Sequence, residues 1–149
     1  MRTSRLGSLL AIGAITAMTI APGASATPRS GDLHIVKDCG DYHGLAGQHC
    51  TITESNIRAI PVGARIVYAS GVVNGVLDSD ITIEAGPGNV ARGHVMLDFN
   101  HLPADVHLAG GTGKFTHIQA SVKVTPVIPP TGEPRFWHWD GTYGFDNGS

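Results

Sequence analysis

Past Ile20 the chain has no apolar run long enough to cross a membrane, and past Asp32 it has almost no apolar residues at helical spacing. The second absence excludes a helical bundle. Charge is also scarce. Only 15% of residues are Asp, Glu, Lys or Arg, and the basic ones do not cluster. Phosphate backbones are held by grouped Lys and Arg, so nucleic acid is not an expected partner.

Familiar cofactor motifs are missing as well. No His-x-His and no His-Glu-x-x-His occurs among the eight histidines, and His94, His101 and His107 are separated by loop residues. Gly113-Lys114 ends a Walker-like pattern, but Leu108 stands where its first glycine belongs. Phe115 stands where Ser or Thr would hold magnesium, and no helix follows to supply a dipole. Asp78 with Asp80, and Asp98 with Asn100, alternate acceptors without the glycine and closing glutamate of a calcium loop, and they read as surface turns. No metal and no cofactor is expected.

The N-terminus sets the expected compartment. Arg2 and Arg5 precede an apolar run over residues 6–20, and Ala24-Ser25-Ala26 has the small-x-small form of a cleavage site. The reading is a signal peptide over residues 1–26 and a mature single domain over residues 27–149, secreted to the extracellular or periplasmic space and free of the membrane after cleavage. Losing Arg2 and Arg5 from ten basic residues leaves eight against twelve acidic ones.

Cys39 and Cys50 are the only cysteines. In an oxidising compartment they are expected to form a disulfide. His43 and His49 lie inside the same loop and leave open a zinc site, although paired zinc cysteines usually stand two to four residues apart. Free thiols are the third possibility.

What remains is an alternating, turn-punctuated pattern that predicts an all-β chain. Strands are expected over residues 66–69, 71–76, 79–85, 90–99, 106–109, 116–125 and 135–145, with Asn74-Gly75 as a tight turn or a bulge. Residues 54–60 have the spacing for one turn of helix before Pro61 and Gly63 stop it. Antiparallel strands of this kind form a sandwich or a closed barrel. Gly93 and Gly141 inside strands suit the tighter curvature of a barrel, and closure removes exposed edges.

Trp137, Trp139, Tyr143 and Phe145 share one face of the last expected strand, with Gly141 between them. They either fill the interior, line an apolar ligand cavity that Tyr68 and Phe99 join, or form an outward strip that stacks on sugars. His117 and His138 each lie one residue off an apolar face and are candidates to meet across strands. Solvent-facing histidines, an acid-base pair and a metal site all remain open for them.

Ala109-Gly110-Gly111-Thr112-Gly113-Lys114-Phe115 resembles the Gly-Gly-Thr-Gly-x-Phe signature of the barrel superfamily of allene oxide cyclases and dirigent proteins, which includes secreted bacterial members. The resemblance spans about residues 66–145. It implies an antiparallel eight-stranded, calycin-like barrel with an apolar lumen that guides a reactive small molecule. Family motifs often continue with small residues, whereas His117 and Ile118 follow here. No catalytic residue of the family aligns.

The expected function is therefore binding of a small apolar molecule in the lumen by Tyr68, Phe99, Trp137, Trp139 and Tyr143. If chemistry occurs, it would be cyclase, isomerase or dirigent-like and need neither metal nor nucleotide. The alternative is a non-catalytic secreted module that recognises a glycan or a protein. Sequence leaves oligomeric state open.

Overall fold

A computed structural model describes residues 29–146. The predicted signal peptide lies outside them. Eight strands run in chain order: β1 (Ser30–Asp38), β2 (His49–Ser55), β3 (Arg65–Tyr68), β4 (Val76–Glu84), β5 (Val90–Asp98), β6 (Ala104–Gly111), β7 (Ile118–Pro126) and β8 (Phe136–Phe145). Each pairs antiparallel with its sequence neighbour, and β1 pairs with β8 to close the barrel.

Alternation decides which residues point inward. Ile118, Ala120, Val122 and Val124 on β7 are buried while the residues between them are exposed. Leu77, Ser79, Ile81 and Ile83 do the same on β4. Each large aliphatic side chain removed from water in this way contributes about 2 kcal/mol before conformational entropy is set against it.

The two ends of the barrel differ. At the end where β1 starts, the connection from β2 to β3 buries Ile57, Ala59, Ile60 and Ala64, and Phe115 is fully buried in a short 3-10 turn, Gly113–Phe115. The connection between β4 and β5 clasps the glycine-rich turn: Thr112 Oγ1 donates to the Gly88 carbonyl, and Lys114 N donates to Asn89 Oδ1. This end is plugged. At the other end, long connections leave a recess.

Four sequence expectations need revision. Glu54 and Ser55 belong to β2, and residues 56–60 form turns rather than a helical turn, because their apolar side chains serve as the plug. Residues 71–76 are not one strand: Asn74 and Gly75 adopt positive φ of 50° and 75° in a tight turn bridging Val73 and Val76, and β4 starts after it. Asp78 lies within β4 instead of in a turn, on the same outer face as Asp80, which the expected strand over residues 79–85 had already placed there. β6 starts at Ala104, ahead of the expected residue 106.

Gly93 and Gly141 do allow curvature, in a specific way. A Cβ on Gly141 would stand 2.0 Å from the Ser121 carbonyl oxygen, and one on Gly93 would stand 2.3 Å from that of His107. Neighbouring backbone occupies the space a side chain needs. Gly141→Ala is expected to cost about 3 kcal/mol or prevent folding, whereas Gly144→Ala on the same strand, with nothing nearer than 3.8 Å, should change stability by about 0.5 kcal/mol or less. Urea denaturation of the two variants checks this, and equal midpoints would contradict it.

Candidate functional site at the open end

Lys37 is the departure from rule on which the open end is built. On β1 the inward positions are Leu33, Ile35 and Lys37, which face Gly141, Trp139 and Trp137 of β8. Alternation therefore carries a lysine into the interior, where it is 5% exposed. On the other side of β1 the register slips, so that Val36 pairs with Glu54 and Lys37 with Ile52. Thr53 is left over, and its hydroxyl donates to the Val36 carbonyl.

Among the described residues the ammonium group finds no carboxylate. Its hydrogen-bond partner is the Tyr68 hydroxyl, 2.5 Å away, and it lies 5.2 Å from the Tyr68 ring centre and 5.1 Å from that of Trp139. The adjacent carboxylate, Asp38, points the other way and is gripped by Arg135 through two bonds of 2.7 Å. That guanidinium holds the Asp38 carboxyl below its ordinary range. Loss of hydration lowers the Lys37 pKa to about 7 and raises that of the Tyr68 phenol well above its ordinary value. Near neutral pH the pair is thus a part-neutral amine beside a protonated phenol.

Above this pair opens a cavity of about 920 Å³. Tyr42, Tyr68, Leu77, Leu97, Phe99 and Trp137 form much of its wall. The Cys39–Cys50 disulfide joins the end of β1 to the start of β2 and fixes the base of the loop carrying Tyr42 and His43. On a chain-entropy argument, a bridge of this short span contributes about 3 kcal/mol. The disulfide expected from sequence is present, and its sulfurs are not available to ligate zinc.

Three of the five aromatic residues singled out by sequence, Tyr68, Phe99 and Trp137, line this cavity, with Phe99 and Trp137 in edge contact at 6.0 Å. Trp139 lies deeper, fully buried in the packed interior below Lys37. Tyr143 is near the plugged end, in edge contact with Phe145 at 6.0 Å and close to Gly31. Both tryptophans point inward, so β8 presents no outward tryptophan strip. Among buried side-chain polar atoms of the described residues, only the Tyr42 hydroxyl and the Trp139 indole N–H lack a hydrogen-bond partner.

Sequence reasoning passed over Lys37 because no strand was assigned over residues 30–38, where β1 lies. The available signal was its place two residues beyond Ile35, in register with Leu33.

Apart from His43, which lines the cavity, the histidines lie on the outside. His117 and His138 do not meet: His138 pairs with Thr125 across β7 and β8, far along the strands from the turn that holds His117. Its ring neighbour is His34 on β1, with centres 5.5 Å apart. His34 Nδ1 lies 2.5 Å from Asp140 Oδ1, and His34, His138 and Asp140 offer three donor atoms within 4.8 Å of one another. A mixed nitrogen and oxygen set of this kind could ligate a divalent transition ion. His94 bridges Asp80 and Asp78 at 2.9 and 2.6 Å, and these hydrogen bonds, that to Asp80 foremost, raise its pKa.

No protein-family model, curated protein or solved structure matches this chain.

Protonation of Lys37 has a consequence for stability. Its pKa is about 7 when folded and close to 10.4 when unfolded, so between those values the unfolded chain binds the extra proton and stability rises with pH. Below pH 7 the amine is charged in both states and the cost of its burial is fully present. The gain on raising the pH from about 6 to about 10 should be on the order of 3 kcal/mol. Lys37→Met should abolish most of that rise, as read from urea midpoints across the range. An identical slope in the variant would show that the amine does not titrate as described.

Proposed function

We propose that this barrel binds a small, largely apolar molecule at its open end. The observation that carries the reading is the 920 Å³ cavity with aromatic and aliphatic walls and one buried polar pair, Lys37 and Tyr68, at its floor. Such a volume suits a compact ligand, and a few convergent polar groups in an apolar recess are the usual means of fixing orientation. Phe99, Leu102 and Ile128 line the recess while remaining exposed, so an apolar molecule meets an apolar rim before it enters.

We place the protein outside the cytoplasm. The leader-like N-terminus and the disulfide support this, and no helix among the described residues is long and apolar enough to cross a membrane. The resemblance of the glycine-rich turn to allene oxide cyclases and dirigent proteins supports a role in sheltering a reactive small molecule, including cyclase, isomerase or dirigent-like chemistry.

Trp137 stands on the wall and Trp139 beneath the floor, so intrinsic fluorescence reports on occupancy. Titration with a panel of apolar alcohols, aldehydes and fatty acids should give saturable emission changes for some members, and Trp137→Phe should remove most of the response. A flat response across the panel, with no shift in melting temperature, would reject the cavity as a binding site.

A further inference from the structure

The floor of the cavity carries more than an orienting group. We propose that Lys37 Nζ is a nucleophile that captures the carbonyl carbon of an apolar aldehyde or ketone as an imine. The inference rests on the binding reading above and adds the ligand's reactive group.

Geometry is the main support. Lys37 lines the cavity, and its Nζ borders the fully buried Trp139 of the packed interior, so a ligand entering with its polar end foremost meets the amine. No acidic side chain pairs with it to hold it as an ammonium ion. Tyr68 faces it from β3, with Tyr42 from the loop after β1 packed against the Tyr68 ring, while Trp137 and Trp139 lie beside it on β8 and Ile52 on β2. The other titratable side chains lining the cavity are His43, Glu133 and Arg135, the last committed to Asp38. An amine with apolar neighbours and a lowered pKa keeps its lone pair near neutral pH.

The chemistry balances without an oxidant or reductant. The amine lone pair forms a C–N bond while the carbonyl π pair moves to oxygen, and a proton passes from nitrogen to that oxygen to give a carbinolamine. The C–O bond then breaks as nitrogen forms the C=N bond, the nitrogen gives up its second proton, and water leaves. The Tyr68 hydroxyl, kept protonated by burial and 2.5 Å from Nζ, is placed to donate to the departing oxygen and recover the proton from nitrogen. An apolar wall excludes bulk water and so slows hydrolysis of the imine.

The chain has only two other lysines, Lys114 and Lys123, and Lys123 is paired with Asp105. This makes the test direct. The disulfide-intact protein is incubated with hexanal, benzaldehyde or cinnamaldehyde and sodium cyanoborohydride at about pH 7.5, where an ordinary lysine is almost wholly protonated, and the adduct is mapped by peptide mass spectrometry. Label should concentrate on Lys37 by at least about tenfold over Lys114 and Lys123, while the N-terminal amine, whose ordinary pKa is near 8, takes label as well and serves as the exposed-amine control. Tyr68→Phe should slow trapping at Lys37 by about tenfold or more, bringing its label down toward that of Lys114 and Lys123.

Label on Lys114 and Lys123 equal to that on Lys37 would overturn the proposal, and because the mapping is done on the native chain that outcome does not depend on any variant folding. The matched alcohols, followed by Trp137 fluorescence, separate the two readings. Occupancy by alcohol and aldehyde without a Lys37 adduct rejects imine capture and retains the binding site; no occupancy and no adduct rejects both.

Discussion

Closure is the constraint on which the rest depends. Once β1 hydrogen-bonds to β8, every strand has one face turned into a shared, limited volume, and each inward side chain competes for it. Where neighbouring strands approach most closely, at Gly93 and Gly141, the competition leaves no room even for a methyl group. Along the middle, Trp139, Ile35, Ile81 and Ile83 use up the interior. The 920 Å³ cavity lies where strands end and the connections are long, at one end of the barrel.

That asymmetry sorts polar groups too. A lysine in the packed middle would have no outlet for its charge, and on the outer face it would be an ordinary surface ammonium. Lys37 sits at the boundary between the two. Its stem packs among rings, and its nitrogen reaches a phenol and the cavity floor. The nearest candidate counter-ion along the chain, Asp38, is turned outward by the alternation that turns Lys37 inward, and Arg135 then neutralises it. One strand position thus accounts for burial, lack of an acidic partner and lowered pKa together.

Architecture was largely legible because period-two alternation records the two faces of a strand. β5, β7 and β8 could be read almost to their ends, and the inward glycines on β5 and β8 correctly suggested curvature. The site was legible in part. Aromatic rings on β8 marked an inward face, but alternation gives no depth along the barrel axis, so it could not separate Trp137 at the cavity from Trp139 below it or Tyr143 near the plug. Depth depends on where all eight strands start relative to one another. Lys37 was missed for a different reason: neither β1 nor β2 was assigned from sequence, so the inward spacing of Leu33, Ile35 and Lys37 went unread. The helical turn expected over residues 54–60 failed because apolar residues that close a barrel end need only local turns, and such closure has no fixed period.

The glycine-rich turn and the cavity occupy opposite ends of the barrel. Gly110 to Phe115 shape the corner between β6 and β7, where Phe115 enters the plug and Thr112 and Lys114 fasten the turn to the connection after β4. Selection for that corner acts on closure and says little about the residues at the far end of the same strands. A resemblance resting on this turn therefore speaks to how the barrel is sealed, while chemistry at the open end is set by which side chains the register delivers there. In this chain β1 delivers an amine, β3 a phenol and β8 an indole, and a carbonyl compound is the ligand class for which an unpaired amine beside a protonated phenol is chemically competent.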